Sequence, residues 1–180
     1  MRALRSYLAD TRGAAALEFG LVLSMLTLPM LSVIDIGIYT YDKMQLQNAA
    51  QMGSQSVWAT CTTDATWPVT KYCSAAQTAI TSAAQTTSLG TNVTVSTTVE
   101  GYYCVDGNGV PQPIGSTGTF ASPLTATAPT SCGSGTWTSK KPADYISVTA
   151  AYTYTPVFSG ISVASLLTPS LTSTSTIPVK

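Results

Sequence analysis

Apolar residues are arranged along this chain in different ways, and each arrangement predicts a different element. From Ala14 to Ile34 they run almost unbroken, with Glu18 the only formal charge. At 1.5 Å per residue that run makes a helix of about 31 Å, the thickness of a bilayer's hydrocarbon core. It reads as a membrane span. Pro29, inside it, removes one backbone hydrogen bond and predicts a kink or a loosened turn. Past Asp35 polar residues enter, yet Leu46, Ala49, Ala50, Gly53 and Val57 recur at i, i+3, i+4, i+7 and i+11. That period predicts an amphipathic continuation to about Ala59. Its stripe is expected to pack on the chain's own domain in preference to a neighbouring subunit, and its small residues allow close approach by either.

The rest of the chain switches between the two periods. Thr62 to Thr70 reads as a loop, and Ala76, Ala79, Ile80, Ala83 and Ala84 predict a second helix from about Lys71 to Thr87, stopped by Gly90. Val93, Val95 and Val99 share one parity and predict a half-buried strand over 92–100, which Tyr102 to Val105 extends. Asp106-Gly107-Asn108-Gly109 is a turn signal. Residues 111–142, rich in Pro, Gly, Ser and Thr, read as a long loop carrying isolated Phe120 and Trp137. Ile146, Val148, Ala150, Tyr152 and Tyr154 alternate and predict a central strand from Asp144 to Thr155. Phe158 to Leu167 is a short apolar segment placed either against the membrane or as a plug for the domain, and Leu171 to Val179 reads as an edge strand. The fold class is α+β: a long N-terminal helix, then a small domain with a second helix and an antiparallel sheet.

Charge narrows the function. The formal net charge is zero and only 9% of residues are charged, with no basic cluster larger than Lys140-Lys141. Nucleic acid is therefore excluded as a partner. The chain has no His, which removes the commonest general base and metal ligand. Asp64, Glu100, Asp106 and Asp144 stand singly and read as solvated acids, and no nucleophile or phosphate-loop motif is present. The expectation is a non-enzymatic chain without cofactor or metal. Tyr102, Tyr103 and Trp137 are candidates for an exposed contact patch, while Tyr152 and Tyr154 read as core. Cys61, Cys73, Cys104 and Cys132 all follow the span, an even set that suits two disulfides in an oxidising compartment. Pairing Cys61 with Cys73 and Cys104 with Cys132 closes local loops. A four-Cys zinc site lacks the usual Cys-x-x-Cys spacing. Arg2, Arg5 and Arg12 against Asp10 place the N-terminal end in the cytoplasm and the remainder outside it.

A carboxylate inside a span calls for a partner. Cleavage between Gly13 and Ala14 would create one, because Ala14 would gain a free α-amine and Glu18 would become the fifth residue, able to pair with the amine of an adjacent subunit. Gly13-Ala14-Ala15-Ala16-Leu17-Glu18-Phe19 resembles the cleavage site of type IV pilin-like prepilins. The longer run, through Ile34-Asp35-Ile36-Gly37 and Leu46-Gln47-Asn48-Ala49-Ala50-Gln51-Met52-Gly53, resembles the TadE-like pseudopilins of the tight-adherence (Flp/Tad) pilus system. The resemblance implies a basic leader over 1–13, a transmembrane and assembly helix over 14–35, an amphipathic continuation over 36–60 and an extracytoplasmic domain over 61–180. It further implies helix packing through Phe19 and the stripe. The implied partners are a prepilin peptidase, the major Flp-type pilin and other pseudopilins, an inner-membrane assembly platform, and membrane lipid. The function it implies is assembly of a pilus used in surface adhesion and biofilm formation. The alternative is an uncleaved single-span protein whose exported domain binds a ligand, and the two readings differ at one peptide bond.

Overall fold

Good helix formers, with no run of Gly or paired Pro, occupy the chain from Thr11 to Thr60. In a computed structural model, which describes residues 11–61, 67–105, 111–125, 127, 129–132 and 142–179, they form one helix, α1 (Thr11–Thr60), that runs through Pro29 without a break. Two further helices follow, α2 (Val69–Tyr72) and α3 (Ala75–Ala84). The strands are β1 (Thr94–Val105), β2 (Pro111–Gly118), β3 (Ala143–Thr153) and β4 (Ser170–Pro178). The chain divides into two compact units. One holds residues up to Thr40 together with Thr155–Pro169; the other holds Tyr41–Tyr154 and the chain from Ser170 onward.

The second unit is built on a four-stranded sheet in the order β2-β1-β3-β4, with every neighbouring pair antiparallel. β3 is central and β4 is an edge, as the alternation predicts. The stripe of α1 packs inside this unit: Leu46, Ala49, Ala50 and Val57 are fully buried. Gly53 lies where an added Cβ would stand 3.3 Å from the Ile80 carbonyl oxygen and 3.5 Å from Val148 Cγ1. The helix is fixed along β4 by a 2.9 Å bond between the Ser54 and Ser175 hydroxyls and by Trp58 Nε1 donating to the Pro178 carbonyl at 3.0 Å. Val57, Cys61, Val69, Cys73, Ala76, Ile80, Ile146 and Val148 form a continuous apolar core. Disulfides join Cys61 to Cys73 and Cys104 to Cys132, closing loops of sequence separation 12 and 28. In the chain-entropy model each contributes about 3 to 4 kcal/mol by restricting the unfolded chain.

Three expectations need correction. The second helix is shorter than 71–87: Cys73 separates α2 from α3, and α3 ends at Ala84. The first part of the expected 111–142 loop is a strand, β2, at the sheet edge, where Pro111 and Pro113 cost few ladder bonds. The parity of β1 also inverts. A bulge between Val95 and Thr97 shifts its register against β3, so Thr98, Glu100, Tyr102 and Cys104 turn inward while Val95 and Val99 are half-buried. Glu100 is thus a core residue. The expected turn at 106–109 lies outside the described residues. β2 ends at Gly118, where a Cβ would come within 2.2 Å of the Leu124 backbone nitrogen, a place only glycine can fill.

The Ser and Thr content finds its use on the other face. Ser147 pairs with Thr176 at 2.6 Å and Thr149 with Thr174 at 2.9 Å, cross-strand hydroxyl pairs that hold β4 to β3.

Candidate functional site

Helix α1 is the element whose surface demands explanation. Between Leu17 and Met30 its large apolar side chains are exposed in every direction: Leu17 at 65%, Phe19 at 68%, Leu21 at 62% and Met25 at 80%. Among the described residues it is the one helix long and apolar enough to cross a membrane. Its hydroxyls are internally satisfied, Ser24 donating to the Leu21 carbonyl at 2.8 Å and Thr27 to Leu23 at 2.7 Å, the arrangement that suits a surround without water. Gly13 and Ala14 lie in its first turn, and Glu18 projects from the apolar surface, exposed. A Cβ on Gly13, Gly20 or Gly37 would meet nothing within 4 Å.

Two polar residues at the end of the apolar run behave differently. Asp35 is fully buried, and its two carboxylate oxygens accept the Val157 and Phe158 backbone N–H groups at 3.1 and 3.3 Å. Ser32 donates its hydroxyl to the Leu28 carbonyl at 3.0 Å and accepts from Val163 N–H at 3.4 Å. Both hold Thr155–Pro169, the excursion between β3 and β4, against α1. The Asp-x-Gly motif carried Asp35 into view, but its role depends on a partner 122 residues away.

The other buried carboxylate, Glu100, accepts Val69 N–H at 2.6 Å, Thr70 N–H at 2.8 Å and the Thr70 hydroxyl at 2.5 Å. That hydroxyl in turn accepts Leu124 N–H at 3.1 Å. One acid therefore ties β1, the first turn of α2 and the chain beyond β2 together. Burial, then the charges of Asp144 and Glu100, push the Tyr102 phenol above its ordinary value. Tyr102 and Tyr154 are core residues, Tyr103 packs edge-on against Tyr145 with ring centroids 5.1 Å apart, and Trp137 lies outside the described residues. The described residues hold no cluster suited to a metal ion.

Asp42 offers a pH test of the second unit. Burial raises its carboxyl above the usual carboxylate range, and a hydrogen bond from Tyr152 only partly offsets this. A raised folded-state value means that the stability it contributes is complete below the unfolded carboxylate range and is lost as pH rises through the raised value. Asp42→Asn keeps an acceptor for Tyr152 and removes the buried charge. It should melt higher than the native chain at neutral pH, with the gain vanishing as pH falls toward the ordinary carboxylate range. Thermal melts followed by circular dichroism across roughly pH 4 to 8 read this directly; a pH-independent difference would show that Asp42 is not penalised by burial.

The family comparison falls on α1. A family model described as TadE-like protein matches residues 13–55. That segment is TadE-like. The similarity is to a family of the tight-adherence (Tad) pilus system, and the apolar helix fits a membrane anchor in a component of such a system. The TadE-like segment opens at Gly13, contains Glu18, Asp35 and all of the stripe but Val57, and ends before Cys61; the sheet and both disulfides lie beyond it. No curated protein and no solved structure matches the chain.

Proposed function

We propose that this TadE-like chain is a pseudopilin or minor pilin, made as a prepilin and cut between Gly13 and Ala14 by a prepilin peptidase. Helix α1 holds it in the inner membrane with its N-terminus cytoplasmic and its sheet outside, and then packs with the major Flp-type pilin and other pseudopilins at the assembly platform. Its work is structural, not enzymatic, and serves a pilus used for adhesion and biofilm formation. The observation that carries this reading is Glu18. It is the lone formal charge of the apolar run, it projects from α1 with no cover from its own chain, and it falls five residues after Gly13. A carboxylate so placed matches an α-amine created at Ala14 on a neighbouring copy or on a pilin helix, in a setting where an unpaired charge is costly. Phe19 beside it would contribute to the same lateral packing.

The test is the N-terminal sequence and intact mass of the protein from membranes of its native host. A terminus at Ala14 is expected. A terminus at Met1 would overturn the processing step and leave an anchored protein with an exported binding domain.

A further inference from the structure

The excursion Thr155–Pro169 joins two neighbouring strands yet lies in the unit of α1 residues up to Thr40, and a tight turn would have served the sheet. Its composition is unlike that of a water-facing loop. It carries no charged residue, and Val157, Ile161, Val163 and Leu166 are 62%, 56%, 52% and 85% exposed. Much of its backbone is also closed on itself. Val157 and Phe158 donate to Asp35 and Val163 donates to Ser32, while Ile161 and Ser162 donate to the Phe158 carbonyl. Ser165 donates to Ser162 and Leu167 to Ala164, and the Ala164 N–H is taken by the Ser162 hydroxyl. Pro156 and Pro169, which have no N–H to satisfy, bracket the segment.

A surface loop has water for its donors and no need of this closure. A segment entering lipid must satisfy them internally, because an unpaired N–H there costs several kcal/mol. The tether fixes the depth as well. Ser32 and Asp35 stand at the end of the apolar run of α1, where a span of about 31 Å beginning at Ala14 reaches the far headgroups.

We propose that Thr155–Pro169 is a second membrane contact, an apolar wedge seated in the interfacial layer of the bilayer leaflet from which α1 emerges, with Val157, Ile161, Val163 and Leu166 in lipid. The proposal rests on the reading of α1 as a membrane span. The wedge's occupant is lipid because Ser32 and Asp35 hold it at the end of the exposed apolar run of α1, and its four large exposed apolar side chains come with no charge for a protein partner to recognise. It holds the anchored subunit at a set depth by burying apolar area at the headgroup boundary, as interfacial segments do.

The full chain is reconstituted in nanodiscs of phosphatidylcholine with or without bromine at the upper acyl carbons. Leu166→Trp and Val157→Trp report the wedge, Met25→Trp reports the span, and the unsubstituted chain supplies the background of its three tryptophans. The added emission of both wedge variants should fall about twofold in brominated lipid and resist aqueous iodide, as that of Met25→Trp does. Wedge variants quenched by iodide and indifferent to bromine, with Met25→Trp quenched by bromine, would overturn the wedge and leave the span standing. Met25→Trp indifferent to bromine would overturn the span and the wedge with it. Wedge variants shielded from both quenchers would mean that another protein surface covers the segment, which also overturns the lipid contact.

Discussion

Glu18→Ala should leave the protein in the membrane at normal or raised level and remove it from pili. The variant loses a charge whose presence in a span costs about 2.5–3.5 kcal/mol on insertion scales, so anchoring does not suffer. On the proposed pairing, what it loses is the partner for an α-amine. Stranding one member of an ion pair away from water costs about 3–5 kcal/mol, which lowers incorporation on the order of 100-fold or more. Immunoblots of sheared surface fractions against membrane fractions measure both halves of the expectation. Native incorporation by the variant would show that Glu18 pairs with nothing during assembly.

Glu100→Ala is expected to be the most destabilising single change in the sheet unit. The carboxylate is fully buried and takes three donors, from Val69 N–H, Thr70 N–H and the Thr70 hydroxyl. Removing it leaves those donors facing a cavity among apolar side chains, at about 1–3 kcal/mol for each that finds no substitute. We expect a loss of about 3–5 kcal/mol, or roughly 8–15 °C in Tm for a domain of this size. Glu100→Gln keeps one acceptor oxygen and should lose about half as much. Thermal melts of the oxidised protein would decide, and a fall below about 2 °C for Glu100→Ala would show that water replaces the carboxylate.

That Glu100 was legible in the sequence only as a scattered acid has a definite cause. The alternation of Val93, Val95 and Val99 points the wrong face inward because a bulge after Val95 reverses the parity, and a bulge leaves no periodic mark. β2 was hidden for a related reason: Pro111, Pro113, Gly115 and Gly118 are loop residues by propensity, and only its edge position makes it a strand. Strong periodicity told more. The stripe from Leu46 to Val57 and the alternation from Ile146 to Ala150 are buried as their spacing requires, and the cysteines pair within the local loops that their order suggests. The resemblance marked Asp35 and Gly37 by motif, but the grip of Asp35 on Val157 and Phe158 is set by tertiary structure. Glu18 and Gly13 stand out in the sequence by chemistry, not packing, and their roles belong to the proposal above.

The two disulfides also define a path for mechanical load. Tension drawn along the chain from α1 toward β3 crosses from Cys61 to Cys73 and from Cys104 to Cys132 through sulfur, so the residues inside each loop are slack. Val69 and Thr70, which cradle Glu100, belong to the first slack loop; β2 and Leu124 belong to the second. A subunit built this way can be pulled by its anchor while edge strand β2 and the two residues that hold its buried acid stay off the covalent path of the force.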